Sequence, residues 1–305
     1  MKSQNLTGVM EFQLVGLSDD SELQLLFFGL FLIIYVVTVL GNLLIILAVS
    51  SASHHQTSMY FFLSNLSLAD IGFSNTTIPK MLVNIQTHSK SITYVGCFTQ
   101  VSFFFLFGCL DSLLLSVMAI CQPLHYPIIM SPCMCGLLIL ISFSISVLDS
   151  LVHCLMVSQL TFCIDIVIRN FFCDPPQLLK ISCDYISTYN ILIYVIGAIF
   201  GGVPVSGIHY SYIRIISSIV RVPLISGKYK AFPTCGSHLL LVSVFYGTAF
   251  GAYFSSIVSH NPGKVMVASV MYTMVTPMLN PFVYSLRNRD LKKALWRVFS
   301  KTFIC

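Results

Sequence analysis

Charged residues are scarce in this chain. Only 9% of its 305 residues are Asp, Glu, Lys or Arg, while 56% are hydrophobic. No Lys or Arg occurs between Lys90 and Arg169. Soluble domains are about one quarter charged, so this composition excludes an ordinary soluble domain. The basic residues are not gathered on one soluble face, so the net charge of +5 does not indicate nucleic-acid binding.

Long apolar runs, in contrast, recur along the chain. Seven of them are long enough to cross about 30 Å of hydrocarbon as a helix. They are Leu25–Val49, Met59–Val83, Tyr94–Cys121, Met134–Val157, Tyr189–Ile216, Cys235–Val258 and Val265–Leu286. The pattern predicts an all-α fold, a seven-transmembrane helix bundle at residues 25–286. Residues 1–24 are predicted to form an extracellular N-terminus.

The residues after the last run, 287–305, are predicted to form a cytoplasmic amphipathic helix and tail. Leu291 and Leu295 share one helical face, Lys292 and Arg297 lie around the other, and Trp296 is suited to the membrane interface. This helix would lie on membrane lipid. A disordered tail is the alternative.

The distribution of Lys and Arg predicts the orientation of the bundle. With an extracellular N-terminus, ten of the sixteen basic residues fall in cytoplasmic segments, as expected from the positive-inside rule. These ten are Arg214, Arg221, Lys228, Lys230, Arg287, Arg289, Lys292, Lys293, Arg297 and Lys301. In that orientation Asn5, in Asn5-Leu6-Thr7, is a candidate glycosylation site. We expect a multi-pass plasma-membrane protein, with retention in the endoplasmic reticulum as the alternative.

Four of the eleven cysteines lie in predicted extracellular positions. Cys97 is at the outer end of the third span, and Cys163, Cys173 and Cys183 lie in the loop after the fourth. Four cysteines pair in three ways, and spacing does not choose between them. Cys133 and Cys135 have no further His or Cys nearby at metal-ligand spacing, so free thiols rather than a metal site are predicted.

Ionisable side chains within spans are costly and are therefore candidates for function. Asp70 and Asp111 lie midway along the second and third spans, and Asn42 and Asn280 lie in the inner halves of the first and seventh. If these four groups meet, they could hold a sodium ion or share a proton. Separate hydrogen bonds between helices are the alternative. No nucleophile, base and orienting group converge, so an enzyme is not expected.

Several sequence strings identify the chain more closely. They are MYFFLSNLS at 59–67, SY at 211–212, KAF at 230–232, TCGSHL at 234–239 and PMLNPFVYSLRN at 277–288. Together, and in this order, they resemble the odorant (olfactory) receptors, a family of rhodopsin-like (class A) G-protein-coupled receptors. The resemblance covers nearly the whole chain.

The resemblance implies a function and several residue roles. The family binds small hydrophobic odorants and signals through a heterotrimeric stimulatory G protein that raises cyclic AMP. The implied disulfides are Cys97–Cys173 and Cys163–Cys183. The family's ion-linked polar core corresponds to Asn42, Asp70, Asp111 and Asn280, and its switch residues correspond to Tyr212, Tyr246, Asn280, Pro281 and Tyr284.

A ligand pocket follows from the same resemblance together with helical spacing. Its predicted wall consists of Phe104, Phe105, Gly108 and Cys109 in the third span, Ile196 and Phe200 in the fifth, and Ala249, Phe250 and Tyr253 in the sixth. This wall is mostly apolar and has no carboxylate near Phe104. We therefore expect a small volatile organic ligand rather than an amine.

The chain departs from the family at the inner end of the third span. The family continues from Met-Ala into Tyr-Asp-Arg-Tyr-Val-Ala before Ile-Cys, whereas this chain has Met118-Ala119-Ile120-Cys121. The six absent residues correspond to about 9 Å of helix and include the Arg that the family uses to contact the G protein. We therefore expect weakened coupling. One alternative is a folded but non-coupling, decayed receptor; another, a channel or transporter, lacks the expected internal repeat.

Overall fold

The computed structural model describes residues 11–17, 20–51, 58–121, 131–162, 166–183, 191, 195–221, 239–252, 254–255 and 261–287. The predictions for Asn5, Cys163, Tyr253 and the helix after residue 287 lie outside these residues, as does the side chain of Phe200.

Helices dominate the described chain. In chain order the elements are β1 (Glu11–Leu14), α1 (Ser21–Ser51), α2 (Ser58–Thr87), β2 (Ser91–Thr93), α3 (Tyr94–Cys121), α4 (Pro132–Ser158), β3 (Val167–Ile168), α5 (Pro175–Lys180), α6 (Val203–Arg221), α7 (Leu239–Ala252), α8 (Pro262–Val270) and α9 (Thr276–Arg287). Each of the seven predicted spans contains a described helix. The prediction of an all-α helix bundle is confirmed.

The third predicted span coincides with α3, and α1, α2 and α4 extend a few residues beyond their predicted ends. Four of the described helices are long and apolar enough to cross a membrane: Ser21–Ser50, Tyr94–Ala119, Pro132–Ser158 and Gly263–Tyr284. Their outward faces carry large apolar side chains such as Leu25 and Leu155, which are 75% and 63% exposed. Such a surface suits lipid rather than water.

Proline residues mark irregular turns in the fifth and seventh spans. A π-helical turn, Ala198–Gly202, comes directly before α6 and its Pro204, and a second, Met271–Val275, comes directly before α9 and its Pro277. Pro281 lies inside α9. Because proline lacks an N–H and crowds the preceding turn, it favours such departures from α-helical bonding.

A small sheet covers one end of the bundle, which we call the outer end, and we did not predict it from the sequence. Its strand order is β2-β1-β3, with β1 antiparallel to β2 and parallel to β3. Phe12 and Leu14 of β1 are buried in the outer core, where the Phe12 ring packs edge-on against Phe162 at 5.0 Å. The N-terminal strand therefore lies on the same side of the bundle as the loop after α4.

Candidate functional site

The loop that follows α4 closes the outer end of the bundle. We call residues 166–183 the outer loop. Cys173 in this loop is disulfide-bonded to Cys97 at the start of α3, as the resemblance implied. Cys183 is also disulfide-bonded, but its implied partner, Cys163, lies outside the described residues. Phe171, Phe172 and Cys173 are at most 3% exposed, so the loop is packed into the bundle.

Gln100 of α3 forms hydrogen bonds with both the outer loop and α2. Its Oε1 accepts the Cys173 N–H at 2.9 Å, and its Nε2 donates to the Thr76 carbonyl at 2.9 Å. Sequence reasoning missed this residue. The available signal was its position three residues after Cys97, which places it on the face of α3 that meets the loop.

Asn170 fastens the same loop to the seventh span. Its Nδ2 donates to Ser269 Oγ in α8 at 3.0 Å, and its Oδ1 accepts the Phe171 N–H at 2.9 Å. Asn170 is fully buried. A buried amide with both ends bonded fixes its neighbours, because breaking either bond leaves an unpaired polar group.

Aromatic rings lie directly beneath the outer loop. Phe104 of α3 contacts Phe73 of α2, Phe172 of the loop and Tyr272 of the seventh span, with ring centroids 5.3, 5.4 and 6.0 Å apart. Gly108, one turn below Phe104, admits Tyr272, since a Cβ there would lie 3.1 Å from the Tyr272 hydroxyl. Phe104 and Gly108 therefore face the interior of the bundle; their role in ligand binding stays a prediction.

Phe105 and Cys109 pack against α4, although helical spacing predicted that they would line the ligand pocket. The Phe105 ring stacks on His153 of α4 at a centroid distance of 3.5 Å, and the Cys109 thiol contacts Ser146 and Asp149 of α4. Successive residues turn by about 100° around a helix, so these two side chains lie beside the interior wall and pack between α3 and α4.

The predicted contribution of the sixth span requires a correction. Ala249 is half-buried, but the Phe250 side chain is 70% exposed and stacks on Phe254, which is also exposed. Phe250 is nine residues after the buried Leu241, which amounts to a rotation of about 180°. It therefore faces lipid. In the fifth span, Ile196 is half-buried against the outer core.

Tyr246 connects the sixth span to α3. Its hydroxyl lies 2.7 Å from Ser112 Oγ and 3.3 Å from Ser116 Oγ, and it donates to the Ser112 carbonyl at 3.2 Å. The ring packs edge-on against Phe245. The two serines were missed from the sequence, although they lie one helical turn apart in an otherwise apolar stretch.

The predicted polar core is only partly assembled by direct hydrogen bonds. The Asn280 amide donates to both Asp70 carboxylate oxygens, at 2.8 and 2.9 Å, and joins α2 to α9. Asp111 is 1% exposed and is near enough to Asp70 for their charges to interact, and its Oδ1 has no hydrogen-bond partner among the described residues. Two adjacent buried carboxylates require a shared proton or a cation to be stable together.

Asn42 has a different role from that of Asn280. Its Nδ2 donates to the Thr38 carbonyl at 3.0 Å and to the Pro277 carbonyl at 3.4 Å. Pro281 has no N–H to offer the carbonyl four residues before it. Asn42 therefore supplies the donor that the α9 backbone lacks at that point.

The predicted switch tyrosines Tyr212 and Tyr284 lie in the half of the bundle away from the sheet. Tyr212 of α6 is buried with Ala119, Ile208 and Val242 in what we call the inner cluster, which Tyr246 also touches. Tyr284 packs against the large buried cluster between α2 and α3, and its buried hydroxyl has no hydrogen-bond partner among the described residues. Among the described residues, no group of His, Cys, Asp or Glu is arranged to hold a metal ion.

This arrangement, a helix bundle closed by a disulfide-anchored loop above aromatic rings and a buried polar core, is that of a rhodopsin-like receptor. The fold is similar to the crystal structure of squid rhodopsin, with a TM-score of 0.71 over 94% of this chain and 88% of that chain, at 17% identity.

The sequence comparisons define the family. The family model for olfactory receptors matches residues 31–302. The chain is 62% identical to human olfactory receptor 7E24 over 98% of this chain and 90% of the relative. It is 56% identical to human olfactory receptor 7D4 over the full length of both, and 58% identical to mouse olfactory receptor 7E178 over 99% and 93%. The chain belongs to the olfactory receptor family: it is a multi-pass membrane receptor and not an enzyme.

Proposed function

We propose that this protein binds a small hydrophobic odorant beneath the outer loop and signals through a heterotrimeric stimulatory G protein, which raises cyclic AMP. The contact of Phe104 with Phe172 and Tyr272 is the observation that carries the proposal. It brings α3, the outer loop and the seventh span together around apolar rings. A ligand that displaces these rings would alter all three elements at once.

The polarity of this region favours a neutral ligand. Among the described residues of the aromatic cluster, the only polar side-chain group is the Tyr272 hydroxyl. An apolar wall with one hydroxyl suits a small alcohol, ketone or ester, because such a ligand loses little hydration and can bond the single hydroxyl.

The polar contacts below the ligand region support a route for the signal. Tyr246 lies between the aromatic region and the inner cluster, and it bonds α7 to α3 through Ser112 and Ser116. Movement of α7 that breaks these bonds would also disturb Tyr212, which shares the inner cluster with Tyr246. The comparisons give no support to the alternative of a decayed receptor.

We also propose that a sodium ion binds near Asp70 and Asp111. Within the described residues, Asp111 Oδ1 and Asn42 Oδ1 are buried oxygens without a hydrogen-bond partner, as is Ser74 Oγ, one turn from Asp70. Buried oxygens that lack a donor, one of them on a carboxyl group, suit a small hard cation. Sodium chloride should raise the Tm of the detergent-solubilised receptor relative to choline chloride, and D111N should abolish the difference. An equal sodium effect in D111N would contradict the site.

An extracellular N-terminus is supported by the outer sheet. β1 pairs with β2 and β3, which flank the disulfide-bonded end of α3. Disulfides form on the oxidising side of a membrane, which supports an extracellular position for β1. Antibody labelling of an N-terminal tag on intact cells tests both the orientation and delivery to the plasma membrane; labelling only after permeabilisation would support retention instead.

The ligand proposal is tested in cells that express the receptor with an adenylyl cyclase reporter. A panel of volatile alcohols, ketones, esters and amines should include neutral agonists. For an agonist so found, Gly108→Leu fills the space used by Tyr272 and should abolish the response at equal surface expression. The control, Gly136→Leu, changes a glycine with nothing within 4 Å of the added Cβ. Equal responses from the two variants would refute the pocket.

A further inference from the structure

The inner end of α3 makes an unusual hydrogen bond with the fifth span. Ser211 Oγ of α6 donates to the Ala119 carbonyl at 2.8 Å, and Ser211 is 7% exposed. A serine in a helix ordinarily donates to the carbonyl one turn earlier in its own helix. Ser206 does so in α6, donating to the Gly202 carbonyl at 2.7 Å. Ser211 instead bonds across to another helix.

The sequence explains why the Ala119 carbonyl needs this donor. In an α-helix that carbonyl would accept the N–H of the residue four positions later. That residue is Pro123, which has no N–H. Ala119 also lies in the last turn of α3, which ends at Cys121. In an apolar environment an unpaired carbonyl is strongly disfavoured, so a hydroxyl from a neighbouring helix stabilises it.

The shortened third helix creates this situation. In the family pattern, Met-Ala is followed by Tyr-Asp-Arg-Tyr, so the fourth residue after the alanine has a backbone N–H. Loss of the six residues puts Pro123 at that position instead.

We infer that Ser211 caps the inner end of the third helix in place of the backbone donor that Pro123 lacks, and thereby positions Tyr212 beside Ala119. Tyr212 is the next residue in α6 and is packed with Ala119 in the inner cluster. Ser211 is a positioning residue: it acts on the signalling face through Ala119 and Tyr212. The functional part of this inference rests on the proposed receptor activity, whereas the hydrogen bond itself does not.

A double-mutant cycle tests the cap. The apparent Tm of the full-length receptor in detergent is measured for the unmodified chain, S211A, P123A and the double variant. S211A should lower Tm by about 2–4 °C, and the loss should fall below about 1 °C in the P123A background, because the backbone then offers its own donor. S211T, which keeps the hydroxyl, should retain most of the stability. The control is S206A, whose effect should be small and independent of Pro123.

A second restoration of the donor gives an independent check. Insertion of Tyr-Asp-Arg-Tyr-Val-Ala between Ala119 and Ile120 also places an N–H four residues after Ala119, so S211A should again lose its effect on Tm. Equal Tm losses from S211A in all three backgrounds, or no loss in the unmodified chain, would overturn the cap.

Basal cyclic AMP per surface receptor gives the positioning readout. S211A should change it at least twofold, and P123A should suppress that change, whereas a merely structural role would lower expression without altering signalling per receptor. If the Tm loss of S211A depends on Pro123 but the receptor yields no cyclic AMP, the cap stands and the proposed receptor activity is rejected. If the Tm loss depends on Pro123 but cyclic AMP per receptor is unchanged, the positioning role is rejected.

Discussion

The Asp70–Asn280 contact should be the most sensitive polar interaction in the bundle. Both residues are at most 3% exposed, and one amide donates to both carboxylate oxygens. Asn280→Ala leaves a buried carboxyl without the amide that bonds both its oxygens, and an unsatisfied buried polar group costs about 1–3 kcal/mol. At roughly 2 °C per kcal/mol for a large domain, the expected loss of Tm is about 2–6 °C.

The assay is the apparent Tm of the detergent-solubilised receptor, followed by fluorescence-detected size exclusion at a fixed heating time. The matched control is Asn65→Ala in α2, because the Asn65 amide donates at 2.8 Å to the Phe61 carbonyl of its own helix rather than to another helix in the described part of the chain. The Tm loss of N65A should stay below about 2 °C. The exchange variant D70N with N280D again opposes a carboxylate with an amide and should recover at least half of the loss. Equal Tm losses for N280A and N65A would refute the reasoning.

Three other predictions concern packing, the sixth span and coupling. Gly72→Ala should lower Tm, because the added Cβ would overlap the Phe107 ring, whereas Gly29→Ala has nothing within 4 Å of the added Cβ and should be neutral or stabilising. A larger Tm loss for G29A than for G72A would contradict the packing. Tyr246→Phe should raise basal cyclic AMP per surface receptor, since α7 loses its bonds to the α3 serines, and unchanged basal signalling would count against a switch at this position. Restoring Tyr-Asp-Arg-Tyr-Val-Ala after Ala119 should raise odorant-evoked cyclic AMP several-fold, and equal signalling from both forms would show that the segment is dispensable.

The parts of the fold that depend on local pattern were predictable from the sequence. The apolar run at 94–121 predicted both ends of α3, because lipid requires an uninterrupted helix of that length. Asp70 and Asn280 were identifiable as candidates because polar groups within spans are uncommon. Their direct contact, however, joins residues 210 positions apart, and helical spacing alone does not fix which faces of two helices meet.

The predictions that were wrong or missed also depended on contacts between distant parts of the chain, which local patterns do not fix. Spacing placed Phe250 one turn above Tyr246, but Tyr246 lies at the edge of the buried face of α7, and one further turn moves the side chain into lipid. The contacts of Gln100 with Thr76 and Cys173 depend on where the outer loop folds back, which no local pattern records. The outer sheet was missed because its strands have only two to four residues, too few for alternation to be distinguished from chance.

Two backbone carbonyls in the bundle lack a helical donor because a proline stands four residues later in the chain. Pro281 offers no N–H to the Pro277 carbonyl, and the Asn42 amide of α1 donates to that carbonyl at 3.4 Å. Pro123 likewise has no N–H to offer the Ala119 carbonyl, and the Ser211 hydroxyl donates to that carbonyl at 2.8 Å. In each case a side chain from a neighbouring helix replaces a bond that the helix cannot make for itself. Such a bond can break when the helices separate without unwinding either backbone further, so both positions allow relative movement of helices. The shortened third helix therefore lacks the family's Tyr-Asp-Arg-Tyr-Val-Ala segment, while Ser211, part of the Ser-Tyr string shared with the family, bonds the same end of that helix to the fifth helix.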